Sequence, residues 1–139
     1  MKGIKFSALL GATLLTMSTA ATAQTTNADD DYLSDLHSFL EGQDTVTYTM
    51  ATSVISPEQN VWAAQMFCQS FSSGVSPADA FGIYTSAALG EANAQNAVVT
   101  EEMAYAVGLY GGAVMNLGAA HYCPQYQSQV QQALQTLSN

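Results

Sequence analysis

The chain has 139 residues, eleven acidic and two basic, with a formal charge of −9 at pH 7. Lys2 and Lys5 are the only basic side chains besides His, and every Asp and Glu lies between Asp29 and Glu102. Such a balance excludes phosphate neutralisation, so nucleic-acid binding is not expected. It equally excludes a Lys or Arg nucleotide clamp, a Lys Schiff base, and attraction to anionic lipid.

The first segment has the grammar of an export signal. Lys2 and Lys5 form a positive start, Phe6 to Leu15 is a short apolar run, and Ala21-Thr22-Ala23 is a small-x-small cleavage site. The apolar run is shorter than the roughly 20 residues that span a bilayer. Cleavage after Ala23 removes both lysines and leaves 116 residues with side-chain charge −11. The expected organisation is a signal peptide over 1–23, a flexible leader over 24–28, and one helical domain over 29–139. The expected location is exported, periplasmic or extracellular, with no membrane span after cleavage.

Two cysteines remain, Cys68 and Cys123, with a single intramolecular connectivity. In an exported chain an even pair predicts a disulfide. The loop it closes is worth about 4 kcal/mol in the chain-entropy model. Neither cysteine sits in a haem-attachment motif, and the Cys and His residues lack the close-paired spacing of a zinc site. No cofactor and no metal are expected.

In chain order, Asp29-Asp30-Asp31 opens an apolar stripe of Tyr32, Leu33, Leu36, Phe39 and Leu40 that predicts a helix ending near Gly42. The acidic run is not a calcium loop, because the places of the required Gly and Glu hold Ser34 and Leu40. Residues 43–55 are Thr-rich and partly alternating, which predicts a loop. Ser56-Pro57-Glu58-Gln59 is a capping-box start for a second helix ending at Gly74. Ser76-Pro77-Ala78-Asp79 repeats the start for a third, expected to end near Gly90. Residues 91–99 form a small-residue connection. Thr100-Glu101-Glu102 caps a fourth helix.

From Met103 to His121 that fourth helix carries no ionised residue and four glycines, Gly108, Gly111, Gly112 and Gly118. Each internal Gly costs roughly 1 kcal/mol relative to Ala. The expected compensation is close backbone approach around a central buried helix. Pro124 ends it, and Gln125 to Leu137 predicts a polar last helix with Val130, Leu134 and Leu137 on one face. The expected fold class is therefore all-α, a compact bundle of about five short helices stapled by one disulfide.

These segments together resemble the domain-of-unknown-function 732 family, whose members are small exported helical proteins. The resemblance rests on Asp31-Tyr32-Leu33 with Leu36, Trp62-Ala-Ala-Gln-Met-Phe-Cys68, Gly74-Val75-Ser76-Pro77-Ala78-Asp79, Thr100-Glu101-Glu102 and Tyr122-Cys123-Pro124. It covers roughly residues 29–126. It implies that Cys68 and Cys123 are the family's bonded pair, and it implies no catalytic residue. The chain differs in its long 43–55 segment, its expanded connection before Thr100 and its lack of Lys and Arg after Lys5.

No nucleophile elbow, His-Glu-x-x-His or phosphate loop occurs. His121 lies about five turns from Glu101 and Glu102, too far to pair along one helix, and is expected to be a satisfied, half-buried His. His37 is expected to be solvated. The expected function is a non-enzymatic binding module for a protein, peptide or small apolar ligand. Tyr84, Tyr105, Tyr110, Met66, Met103 and Met115 are the candidate pocket-lining residues, against the plainer alternative that they fill the core. A periplasmic stress chaperone and an unrecognised hydrolase are the alternatives.

Overall fold

A computed structural model describes residues 27–95 and 98–138. The expected signal peptide over 1–23 and most of the expected leader over 24–28 lie outside these residues. All regular structure in the described residues is helical: α1 (Asn27–Glu41), α2 (Thr45–Thr49), α3 (Pro57–Ser72), α4 (Pro77–Ala94), α5 (Glu101–Tyr122) and α6 (Gln127–Leu137). A π-helical turn, Met50–Val54, continues α2, and a single 3-10 turn, Pro124–Tyr126, joins α5 to α6. The all-α bundle stands, with one helix more than expected.

Local chemistry explains most of the boundaries. Ser56 accepts from Gln59 N at 3.2 Å, and Gln59 Oε1 accepts from Ser56 N at 2.9 Å, completing the capping box. Ser76 and Thr100 cap α4 and α5 by accepting from Asp79 N and Met103 N. Gly74 ends α3 at φ +93°, and Val75 N reaches back to Ser70 O at 3.0 Å, the closure that needs a left-handed residue.

Three boundaries differ from expectation. Asn27 and Ala28 belong to α1 rather than to a leader. Within residues 43–55, expected as a loop, Thr45–Thr49 and Met50–Val54 are helical. Asp44 caps α2 by accepting from Thr47 N at 2.9 Å and Thr47 Oγ1 at 2.6 Å. Thr47, Met50, Ala51 and Ile55 are buried at near-helical spacing, so burial overrides the weak helix propensity of the Thr-rich run. Finally, α4 runs past Gly90 to Ala94, because Ala88 and Ala92, four apart, are both buried.

Helix α5 is the central element, as expected, and packs against each of the other helices. Two of its glycines allow this. A Cβ on Gly118 would lie 2.8 Å from Ala64 Cβ and 3.1 Å from Ala64 Cα, so α3 and α5 touch backbone to backbone. A Cβ on Gly111 would lie 2.2 Å from Tyr84 Cε1, so the Tyr84 ring occupies that space. Cys68 on α3 and Cys123 at the end of α5 are bonded, with Cα atoms 5.8 Å apart. No helix among the described residues is long and apolar enough to cross a membrane.

Candidate functional site: a groove over the glycine face of α5

The other two α5 glycines face a different environment. Gly108 and Gly112, four apart, lie with Asn116 on one side of α5 and line a groove of about 330 Å³. Phe39 of α1 also lines it, as do Leu134 and Ser138 of α6, and Leu109, Ala113 and Leu117 complete it. The volume falls at the lower end of the roughly 300–1,000 Å³ usual for ligand sites. Among the described residues, a Cβ on Gly108 meets nothing within 4 Å, and one on Gly112 meets only Leu134 Cδ2, at 3.5 Å. Internal packing therefore explains Gly111 and Gly118 but not Gly108, which bears its helix cost of about 1 kcal/mol beside open space.

The lining carries no ionised side chain. Asn116 Oδ1 is buried and has no hydrogen-bond partner among the described residues. An orphaned amide oxygen in an apolar wall costs free energy of about 1–3 kcal/mol unless a donor meets it. Phe39 is 42% exposed, and Leu137, near the end of α6, is 50% exposed. Both leave apolar surface beyond what the fold itself covers.

None of the six expected pocket residues lines this groove. Tyr110 and Met115 are fully buried in the core, and Tyr84 packs over Gly111 and edge-on to Phe67, with ring centroids 5.8 Å apart. Met66 and Met103 are half-buried, while Tyr105 is 57% exposed. The physical reason is simple. Large side chains fill the space between helices, and a groove opens where side chains are missing. The signal available in the sequence was the uncharged run Gly108-x-x-x-Gly112-x-x-x-Asn116, which repeats every four residues on one helical face.

Two further polar clusters are built on neighbouring elements. One is a clasp between antiparallel α1 and α5. Asp35 Oδ2 meets His121 Nε2 at 2.8 Å, and Tyr122 donates to Asp29 Oδ1. The Tyr32 ring sits edge-on to both His121 and Tyr122. His121 is half-buried and satisfied, as expected, and its carboxylate partner is Asp35 of α1 rather than Glu101 or Glu102. Burial, then the hydrogen bond to Asp29, pushes the Tyr122 phenol upward.

The other cluster is a core network on Asn60, which is fully buried. Its Nδ2 donates to Ala51 O at 2.9 Å, and its Oδ1 accepts from Tyr110 at 2.6 Å. Its carbonyl accepts from Tyr32 at 3.0 Å. Ala51 lies in the π-helical turn, where a carbonyl seeks a donor five residues on. That donor, Ser56 N, is held by Gln59, and the Asn60 amide takes its place. Burial pushes the Tyr32 and Tyr110 phenols well above their ordinary value.

His37 is not solvated as expected. Its Nε2 is buried without a partner, and burial holds its imidazole below the ordinary value of 6.5. Among the described residues no three His, Cys, Asp or Glu side chains converge as metal ligands.

Compared with family models, curated proteins and solved structures, the chain matches none.

Proposed function

We propose that the chain is an exported, non-enzymatic binding module of the domain-of-unknown-function 732 type, and that the α1–α5–α6 groove is its binding surface. The single observation that carries this reading is Gly108. It lies inside a helix, at a helix-propensity cost, against a groove in which its missing Cβ would have touched nothing within 4 Å among the described residues. A backbone left bare in this way lets an outside group approach closely. The buried, unpartnered Asn116 Oδ1 supports the same reading, because a bound donor would relieve it.

Export is supported by the signal grammar of residues 1–23 and by a disulfide, which is at home in an oxidising compartment. The family assignment is supported by its motifs, which fall at the α3 end, the α4 start and the bonded Cys123.

The test is binding of a neutral, environment-sensitive apolar dye to the folded protein. Gly108→Leu puts a side chain into the groove from a position where an added Cβ meets nothing within 4 Å among the described residues. It is expected to abolish the dye signal while the helical circular dichroism holds and the melting temperature does not fall. Unchanged dye binding in that variant would remove the groove from the proposal. Export is tested separately: the secreted protein is expected to begin at Gln24 by intact mass.

A further inference from the structure

The groove itself is neutral, but the protein around it is not. Residues 27–138 hold all eleven acids of the chain and no Lys or Arg. Along α1, Asp31, Asp35 and Phe39 follow one another at four-residue spacing, so two exposed carboxylates, that of Asp35 also meeting His121, continue the line of the residue that walls the groove. Along α5, Glu102, Leu109 and Asn116 follow at seven-residue spacing, so a third exposed carboxylate lies on the helical face that forms the floor. On the α6 side the wall is flanked by Gln131 and Gln135, which are neutral. The floor between Gly108 and Asn116 is about 12 Å long, a little over two helical turns. Its glycines sit four apart, the spacing at which a second helix can lie close against the first.

Resting on the reading of this groove as the binding surface, we propose that its occupant is a cationic amphipathic helix. Apolar side chains at i, i+3, i+4 and i+7 lie along Gly108, Gly112 and Leu109, and Lys or Arg side chains flank them toward Asp31, Asp35 and Glu102. Charge complementarity selects this occupant. A second copy of the chain would bring another fully acidic domain against the first, at a cost in like-charge repulsion. A small neutral ligand would make no use of the flanking acids. A cationic helix uses both the apolar floor and the charged flanks, and the surrounding field would speed its encounter.

The experiment is calorimetric titration of the folded, disulfide-bonded protein with three synthetic peptides. The first is a Leu/Lys helix with leucines at i, i+3, i+4 and i+7. The second keeps the leucines and replaces every Lys by Glu. The third keeps the composition of the first and scrambles the leucine face. The Leu/Lys helix is expected to bind one to one, at least tenfold more tightly than either control, and to weaken as salt is added. Gly108→Leu is expected to weaken it at least tenfold, and Asp31→Asn with Asp35→Asn at least threefold, with melting curves confirming that each variant is folded.

Equal binding of the Leu/Glu and Leu/Lys helices would overturn the proposal and leave the groove reading standing. So would a neutral apolar dye that binds in a Gly108-dependent way while no peptide binds. Self-association of the protein lost in Gly108→Leu would overturn it in favour of a second copy. Tight Leu/Lys binding unaffected by Gly108→Leu would overturn both the proposal and the groove on which it rests.

Discussion

Tyr110 and Asn60 lie fifty positions apart and meet through a 2.6 Å hydrogen bond in a fully buried core. Tyr110 belongs to the central helix α5 and Asn60 to the first turn of α3, so the bond ties the two most heavily packed helices together. Asn60 also holds the Ala51 carbonyl, and through it the π-helical turn. Replacing Asn60 by Leu leaves the Tyr110 hydroxyl and the Ala51 carbonyl buried without partners. At about 1–3 kcal/mol for each orphaned group, Asn60→Leu is expected to lose roughly 3 kcal/mol. Adding Tyr110→Phe removes one of the orphans. The double variant is therefore expected to be more stable than Asn60→Leu alone, a coupling that urea denaturation of the four-member cycle would measure. Additive losses would show that the two groups act independently.

The α5 glycines divide into two classes that substitution separates. Gly118→Ala places a Cβ 2.8 Å from Ala64 Cβ and 3.1 Å from its Cα, and backbone cannot move aside as a side chain can. Overpacking of about 1–3 kcal/mol against backbone outweighs a helix-propensity gain of about 1 kcal/mol, so a net loss of up to about 2 kcal/mol is expected. Gly108→Ala meets nothing and is expected to gain about 0.5–1 kcal/mol. Opposite signs in chemical denaturation confirm the division, and a destabilised Gly108→Ala would refute it.

Four tyrosines make the protein sensitive to alkali. Burial raises the phenols of Tyr32, Tyr84, Tyr110 and Tyr122 above the ordinary 10.0. A group raised in the folded state contributes stability that is fully present below its unfolded value and is lost as pH rises toward its folded value. Stability is therefore expected to fall above about pH 10. An ultraviolet titration of the phenols should show these four ionising in one cooperative step, together with the loss of helical circular dichroism. Gradual ionisation of all seven tyrosines in a protein that stays helical would contradict it.

At lower pH two effects oppose each other. Eleven acids with no Lys or Arg around them repel in the compact state, and this repulsion eases as carboxylates and imidazoles take up protons. His37 works the other way. Burial depresses its folded value below 6.5, so its contribution is present above 6.5 and is lost as pH falls through the folded value. In low salt, melting temperature is expected to be higher near pH 5 than near pH 8. His37→Leu is expected to widen that gap, and added salt to narrow it. A flat profile for both proteins at low salt would sink the repulsion argument.

Helix starts were legible where one short motif decides them. Ser56, Ser76 and Thr100 each cap a helix through contacts three residues away, and Gly74 closes one through its own backbone freedom. The 43–55 segment was not legible. Its Thr-rich composition opposes a helix, and only burial of Thr47, Met50, Ala51 and Ile55 against the bundle reverses that. The acids of α1 posed a similar problem. With no Lys or Arg after Lys5, these acids are left to water, helix caps or His, but nothing local points Asp35 at His121, eighty-six positions away.

Composition and local pattern by themselves determined an acidic, all-helical chain with one possible disulfide pairing, because charge, caps and 3.6-residue periodicity are properties of short segments. What only the tertiary structure decided was the work of each α5 glycine. Gly108, Gly111, Gly112 and Gly118 are the same residue in the same helix, and each carries the same propensity cost. Ala64 and Tyr84 occupy the space beside two of them, and among the described residues nothing occupies the space beside Gly108. That distinction depends on which distant helix faces which side of α5, and so the packed helices, rather than the spacing along the chain, separate a core contact from a groove.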